Sequence, residues 1–280
     1  MHLNTFKEFL YLFTELSVLF IAISFLVSII NQKYEGIFKK QLAGDKISSY
    51  FKAIFLGALT PFCSCSTIPL LRAFLEAKVK LSVALAYLFT SPLINPIIFS
   101  MLFITFGLKL SLTYVVFLVF LIFIVSFVFS KFKEESFLKH IPKNITINYK
   151  ELFKESLKNY KKLLPYIVVA VFIGAFIHGF IPQEILQKYL NGNEILSIVL
   201  AAFLGIFLYL RVETIIPIGL ALLQMGISQG VIMSFLIAGA GCSLPELILL
   251  KQMFKIKFLF LFVMIILGVA ISFGIFINLI

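Results

Sequence analysis

The sequence predicts an all-α polytopic integral membrane protein, built of two homologous halves with broken helices. Three observations predict it. Hydrophobic residues make up 61% of the 280 residues and charged residues only 13%, against roughly 45–50% and about 25% in soluble domains. The apolar residues fall into blocks near the ~20 residues that a spanning helix needs. The later blocks repeat the earlier ones with glycine and proline in a common register. The first figure excludes a soluble globular domain, and also disorder, which requires low hydrophobicity. The net charge of +11 comes from basic residues between apolar blocks. They form no arm or patch, so they read as topology signals rather than nucleic-acid contacts. There are 10 Tyr and no Trp, leaving tyrosine and lysine to anchor the interfaces.

Glu8 and Glu15 interrupt the first run and no A-x-A-like site follows it, so no cleavable signal is expected and the chain is read as mature from Met1. The apolar segments are Leu10–Ile30, Phe51–Leu71, Leu81–Leu108, Leu110–Ser130, Leu163–Ile181, Ile195–Leu223, Ser228–Leu250 and Phe258–Ile280. Between the fourth and fifth lies the polar stretch Lys131–Lys162, a solvated linker with a short helix around Tyr149–Lys162. The expected organisation is a first repeat over 1–130, a cytoplasmic linker over 131–162 and a second repeat over 163–280.

A shift of 148 residues aligns the halves. Leu42, Gly44 and Asp45 fall on Leu190, Gly192 and Asn193. Phe55-Leu56-Gly57 falls on Phe203-Leu204-Gly205, Ile68-Pro69 on Ile216-Pro217, and, with one insertion, Pro96 on Pro245. Apolar matches are weak evidence; glycine and proline matches are stronger. The second segment of each half is broken, by Pro61, Cys63-Ser64-Cys65-Ser66 and Pro69 in one and by Arg211, Glu213 and Pro217 in the other. The third is broken by Pro92, Asn95 and Pro96, and by Gly239, Gly241, Cys242, Ser243 and Pro245. Proline lacks an N–H, so Pro69 would free the carbonyl of Cys65 and Pro217 that of Glu213. Freed backbone groups are tolerated at membrane depth only inside protein or beside a cavity. Paired broken segments in two repeats point to a transport site near the midplane; a packing kink is the bland alternative.

The lysines choose between topologies. Eight crossings divide the basic residues almost evenly. If the second segment of each repeat is instead a re-entrant hairpin, all 24 Lys and Arg except Lys7, Lys109, Lys188 and the in-segment Arg211 share one side. The positive-inside rule prefers this arrangement of six spans and two hairpins. Its odd number of crossings per repeat inverts the second copy and places both termini outside.

Cys63 and Cys65 would diverge by about 200° on a helix but face one way in extended backbone, which Pro61 and Pro69 favour. Cys242 lies in the opposite repeat. Thiolates are soft ligands for Cu(I), zinc or a thiophilic metalloid, although most buried cysteines only pack. No firm metal site follows, and no cofactor is expected. Arg211 and Glu213 stand where the first half has Cys63 and Cys65; charges inside a membrane segment are costly and usually functional, a structural ion pair being the alternative. Glu246 and Glu213 are candidate proton carriers. Ser64, Ser66, Asn95 and Ser243 are polar candidates for substrate contact, with helix capping equally open for Asn95. Glu15 and His178 read as interfacial. There is no G-x-x-x-x-G-K-[ST], no H-E-x-x-H and no zinc-spaced cysteine pair, so no enzyme is expected.

Thr60-Pro-Phe-Cys-Ser-Cys-Ser-Thr-Ile-Pro69, Ser91-Pro-Leu-Ile-Asn-Pro96 and Gly239-Ala-Gly-Cys-Ser-Leu-Pro245 resemble the predicted permease family that includes ArsP and YraQ-type proteins. The resemblance covers nearly the whole chain. It implies a multi-pass permease of the cytoplasmic membrane. ArsP-type members export trivalent organoarsenicals, so it also implies arsenical resistance with thiols engaging the solute. Many members have no assigned substrate. The expected partners are a small solute or ion and the lipid bilayer, not nucleic acid; a homo-oligomer stays open. A membrane thiol redox protein, a subunit that needs a separate ATPase, and a permease with structural cysteines are the competing readings.

Overall fold

The computed structural model describes residues 46–59, 64–139, 194–207, 226–242 and 244–279, with isolated positions within 14–42, 150–165 and 219–223. The named helices are α1 (Ile47–Leu59), α2 (Ser64–Glu76), α3 (Leu81–Leu93), α4 (Pro96–Phe129), α5 (Glu194–Phe207), α6 (Gln229–Gly241), α7 (Leu244–Met253) and α8 (Ile256–Asn278), with a 3-10 turn at Glu134–Ser136. Among the described residues there is no strand beyond one β-bridge between Leu138 and Phe254. Pro96–Phe129, Gln229–Ile248 and Ile256–Asn278 are long and apolar enough to cross a membrane. The protein is an all-α, multi-pass membrane protein. In the linker, the described positions from Lys150 to Lys161 are helical.

Side-chain contacts set the helix directions. Tyr50, near the start of α1, donates to Ser82, near the start of α3, at 2.9 Å. Gly57, near the end of α1, faces Tyr87 and Thr90 toward the end of α3. These two helices therefore run parallel. Between them α2 runs back: Thr67 in its first turn shares a 2.9 Å hydrogen bond with Ser91 in the last turn of α3, and Phe74 packs edge-on against Tyr87. So α1 and α2 run antiparallel, each packed on α3. Each has 13 residues, about 20 Å, too short for a hydrocarbon core of about 30 Å.

Gly107 interrupts α4 at φ 82, ψ 173, a conformation that costs glycine little. It separates a first stretch, 96–106, from a long arm, 108–129. Tyr114 near the start of the arm donates to the carbonyl of Leu93; Phe127 near its end meets Tyr50. The arm thus returns antiparallel to α3.

The 23 residues of α8 span about 34 Å and locate the other helix ends. At its N-terminus Phe258 packs on Phe129 and Phe137, next to Glu134, which accepts the N–H of Leu81 at 2.8 Å. At its C-terminus Asn278 accepts the N–H of Gly230 at 2.7 Å and donates to Glu194 at 2.8 Å. Hence α3 starts at one end of the molecule while α5 and α6 start at the other. Lys46, Lys78, Lys80, Lys131, Lys133, Lys139, Lys251, Lys255 and Lys257 gather at the Glu134 end; Lys109 lies at the opposite end.

Local geometry recurs with the 148-residue offset. Leu81–Leu93 recurs as Gln229–Gly241. The left-handed residues Lys78 (φ 58) and Gly226 (φ 85) obey it. So do the turn bonds from Val79 to Phe74 and from Ile227 to Leu222. Gly57 and Gly205 are equivalent close approaches. A Cβ on Gly57 would lie 2.9 Å from the Thr90 Cβ, and one on Gly205 would lie 2.6 Å from the Phe235 carbonyl oxygen. The second contact is to backbone, which cannot turn aside. Gly205→Val is therefore expected to destabilise the protein by about 3 kcal/mol, read as a lowered melting temperature in detergent, with Gly57→Ala milder.

Candidate solute site at the broken helices

The first break is built from Pro92 to Ile98. Pro92 is the penultimate residue of α3, and Ile94 leaves the helix at φ −125, ψ 96. Asn95 then caps α4, its side chain accepting the N–H of Ile98 at 2.8 Å, and Pro96 takes the first helical position, where its missing N–H costs nothing. The break frees the carbonyl of Leu93. The buried Tyr114 hydroxyl donates to it at 2.9 Å, and Ile94 N–H donates to Thr90 at 2.7 Å. Asn95 is thus a helix cap here.

The second break is equivalent in position and different in chemistry. After Gly241, Cys242 is extended at φ −149, ψ 109, with its N–H bonded to Ala238. It is a buried free thiol. Glu246 stands in the first turn of α7, where a carboxylate suits the helix dipole. Its side chain is fully buried, four residues after Cys242 in the chain.

The two breaks meet. A Cβ on Gly241 would lie 3.0 Å from a Leu93 methyl, so α3 and α6, running from opposite ends, converge there. α7 packs along α2, whose first turn carries the buried Thr67 bonded to Ser91. Cys242 and Glu246 are thus buried where α6 ends against α3, and α2, which carries the Thr67 hydroxyl, packs on both α3 and α7. Among the described residues no group of three His, Cys, Asp or Glu is placed to hold a metal ion.

One expectation needs correction. Cys65 does not lie in extended backbone: α2 is helical from Ser64 to Glu76 and runs through Ser66 and Pro69. Pro69, the sixth residue of α2, removes one backbone bond, that to the carbonyl of Cys65. The chain leaves the helix within both Pro92–Pro96 and Gly239–Pro245, with Pro96 at the start of α4 and Pro245 at the start of α7. Pro61, Cys63, Arg211, Glu213, Pro217 and Ser243 lie outside the described residues. Sequence reasoning missed Thr67 and Tyr114. A tyrosine in a run of Phe, Leu and Val was the available signal, because a buried hydroxyl needs a partner.

Spanning helices interrupted inside the molecule by extended backbone, with a thiol and a carboxylate buried at the interruption, are the construction of a membrane permease. The chain belongs to the ArsP_1 predicted permease family, whose model matches residues 2–279. It is 26% identical over 240 residues to a Streptococcus mutans protein named "Putative two-component membrane permease complex subunit", covering 81% of this chain and 79% of that one. It is also similar to a UPF0718 protein of Methanocaldococcus jannaschii, 26% identical over 37% of this chain and 28% of the relative. The UPF0718 protein YcgR of Bacillus subtilis is 32% identical over 34% of this chain and 33% of the relative. No solved structure matches the chain.

Proposed function

We propose that this permease is a secondary transporter of the cytoplasmic membrane, made of two inverted repeats, that exports a small thiophilic solute such as a trivalent arsenical or a soft metal species. The observation that carries the reading is the convergence of α3 and α6 on buried Cys242 and Glu246. Soft thiolates select thiophilic solutes, and a carboxylate at membrane depth supplies a proton acceptor when thiols bind and lose their protons. The packing of α7 on α2 favours a shared site for Cys242 and the Cys63–Cys65 segment. In the 148-residue register, Arg211 and Glu213 hold the corresponding place in the second half, so one half contributes thiols and the other charges.

Everted vesicles test this. Uptake is measured for a panel of trivalent arsenicals, soft metal ions and sulfur compounds, with and without a proton gradient. Gradient-driven uptake of a thiophilic member is expected; gradient-driven uptake of solutes that bind no thiol, and of none that do, overturns the substrate class. For the topology, Lys46→Cys, Lys78→Cys and Lys133→Cys, each in a chain without native cysteines, are expected to label from the cytoplasmic side and Lys109→Cys from outside. Labelling of positions 46 and 78 from opposite faces removes the hairpin.

The name of the Streptococcus mutans relative favours a second reading, a permease subunit that works with another component. Co-purification of an ATPase with the tagged chain, and loss of transport in its absence, is the result that would establish it.

A further inference from the structure

Residues 131–139, polar in composition, fold over one end of the molecule and fasten helices from both halves. Glu134 Oε1 accepts the N–H of Leu81, the first residue of α3, at 2.8 Å. It fills one of the open donors at that helix start and complements its dipole. Five residues on, Lys139 caps the other partner. Its N–H donates to Met253 O at 2.8 Å and its Nζ to Lys251 O at 2.6 Å, so the last carbonyls of α7 are met by an amide and an ammonium. The exchange is reciprocal: Lys255 N–H donates to Phe137 O at 2.8 Å, Lys255 Nζ to Glu135 O at 2.6 Å, and Leu138 bridges Phe254. Below them Phe129, Phe137, Phe254 and Phe258 pack ring on ring.

This strap therefore holds the outer ends of two helices whose inner ends form the candidate site. α3 ends at Leu93, against Gly241; α7 begins beside Cys242 and carries Glu246. The 10 residues of α7 lie between extended backbone at Cys242 and at Lys255 (φ −74, ψ 155). A short helix between two such joints moves as a unit, and the strap is what holds its outer end.

We propose that the strap is a latch that closes the site toward the Glu134 end, with Glu134 and Lys139 as its positioning residues, and that it releases α7 when solute enters or leaves on that side. The latch rests on the permease reading only in where the site lies, and its test needs no solute. Cys242 is 0% exposed, so labelling of its thiol reports opening.

Lys255 already has a φ that proline adopts, and the residue before it, Phe254, pairs with Leu138 as a β-bridge, so Lys255→Pro deletes the strap amide at little backbone cost. Lys255→Ala keeps that amide. Labelling by an impermeant maleimide is counted at the Cys242 peptide by mass spectrometry, in right-side-out and inside-out vesicles. From the Glu134 end, labelling is expected to rise about fivefold in Lys255→Pro and in Glu134→Ala, the population change that loss of one net hydrogen bond brings. From the other end it is expected to stay level. Lys255→Ala and Glu134→Gln, which keep the amide and an acceptor, are expected to stay near wild type. If the proline variant does not fold, Leu138→Cys with Phe254→Cys joins the bridged residues by a disulfide; labelling from the Glu134 end should then fall and return on reduction. An equal rise from both ends, no rise, or unchanged labelling of the cross-linked protein overturns the latch.

Discussion

Glu246→Gln is expected to lower gradient-driven transport at least about tenfold, a loss of about 1.4 kcal/mol or more in transition-state terms, while leaving the folded yield unchanged. The amide keeps the shape of the carboxyl and removes its charge and its proton. Burying a neutral amide is easier than burying a carboxylate, so the fold has no reason to suffer. A charged residue kept at membrane depth is expensive, and Glu246 is fully buried four residues after Cys242 in the chain. If its role is to take the proton that a thiol releases, the variant transports poorly at every pH and its profile is flat. Uptake in everted vesicles across a pH series, normalised to folded protein from fluorescence-detected size exclusion, is the measurement. Wild-type rates with an unchanged profile would sink the coupling role and leave Glu246 as a structural group.

Proline and glycine mark backbone events that apolar residues do not, and the 148-residue register in which they match reappears in the bounds of α3 and α6. Charge left a trace as well: the described lysines at helix ends, Lys109 apart, are gathered at one end of the molecule. Pro92–Pro96 and Gly239–Pro245 were legible as places where the helix stops, and α3 and α6 end within them; Pro69, read the same way, lies inside α2. The extended residues are Ile94 and Cys242. Neither residue type disfavours a helix strongly. What holds Ile94 extended is tertiary: Asn95 caps the next helix and Tyr114 takes the carbonyl of Leu93. A propensity reading cannot see a partner that distant in sequence. The strap was hidden for a similar reason. Composition reads the stretch after Lys131 as solvated, whereas Lys139 and Lys255 spend their donors on backbone carbonyls across the chain.

Cys63→Ser and Cys65→Ser are each expected to reduce transport of a thiophilic solute about tenfold or more, and the double change to cost little beyond either. Serine nearly matches cysteine in size but is a hard donor, and a soft ion discriminates strongly between the two. Cys63 and Cys65 are two residues apart in the chain and stay together whatever the halves do. Losing either leaves a single thiol there, so the second loss removes little more; such non-additivity is what coupled residues show. Cys242 differs. It belongs to the second half, pressed where Gly241 meets Leu93, and a transport cycle that moves the halves apart would part it from the other two thiols. Cys242→Ser is therefore expected to have the smaller effect on rate. It also carries a stability cost of about 1 kcal/mol, because a hydroxyl replaces a thiol in a fully buried place. The readouts are initial rate per folded molecule for a trivalent arsenical and for a control solute without thiol affinity. Wild-type rates in both single variants of the pair would make these cysteines packing residues and move the search to solutes that need no thiol. A Cys242→Ser effect larger than theirs would place the soft site at the second break, with Glu246 as its immediate partner.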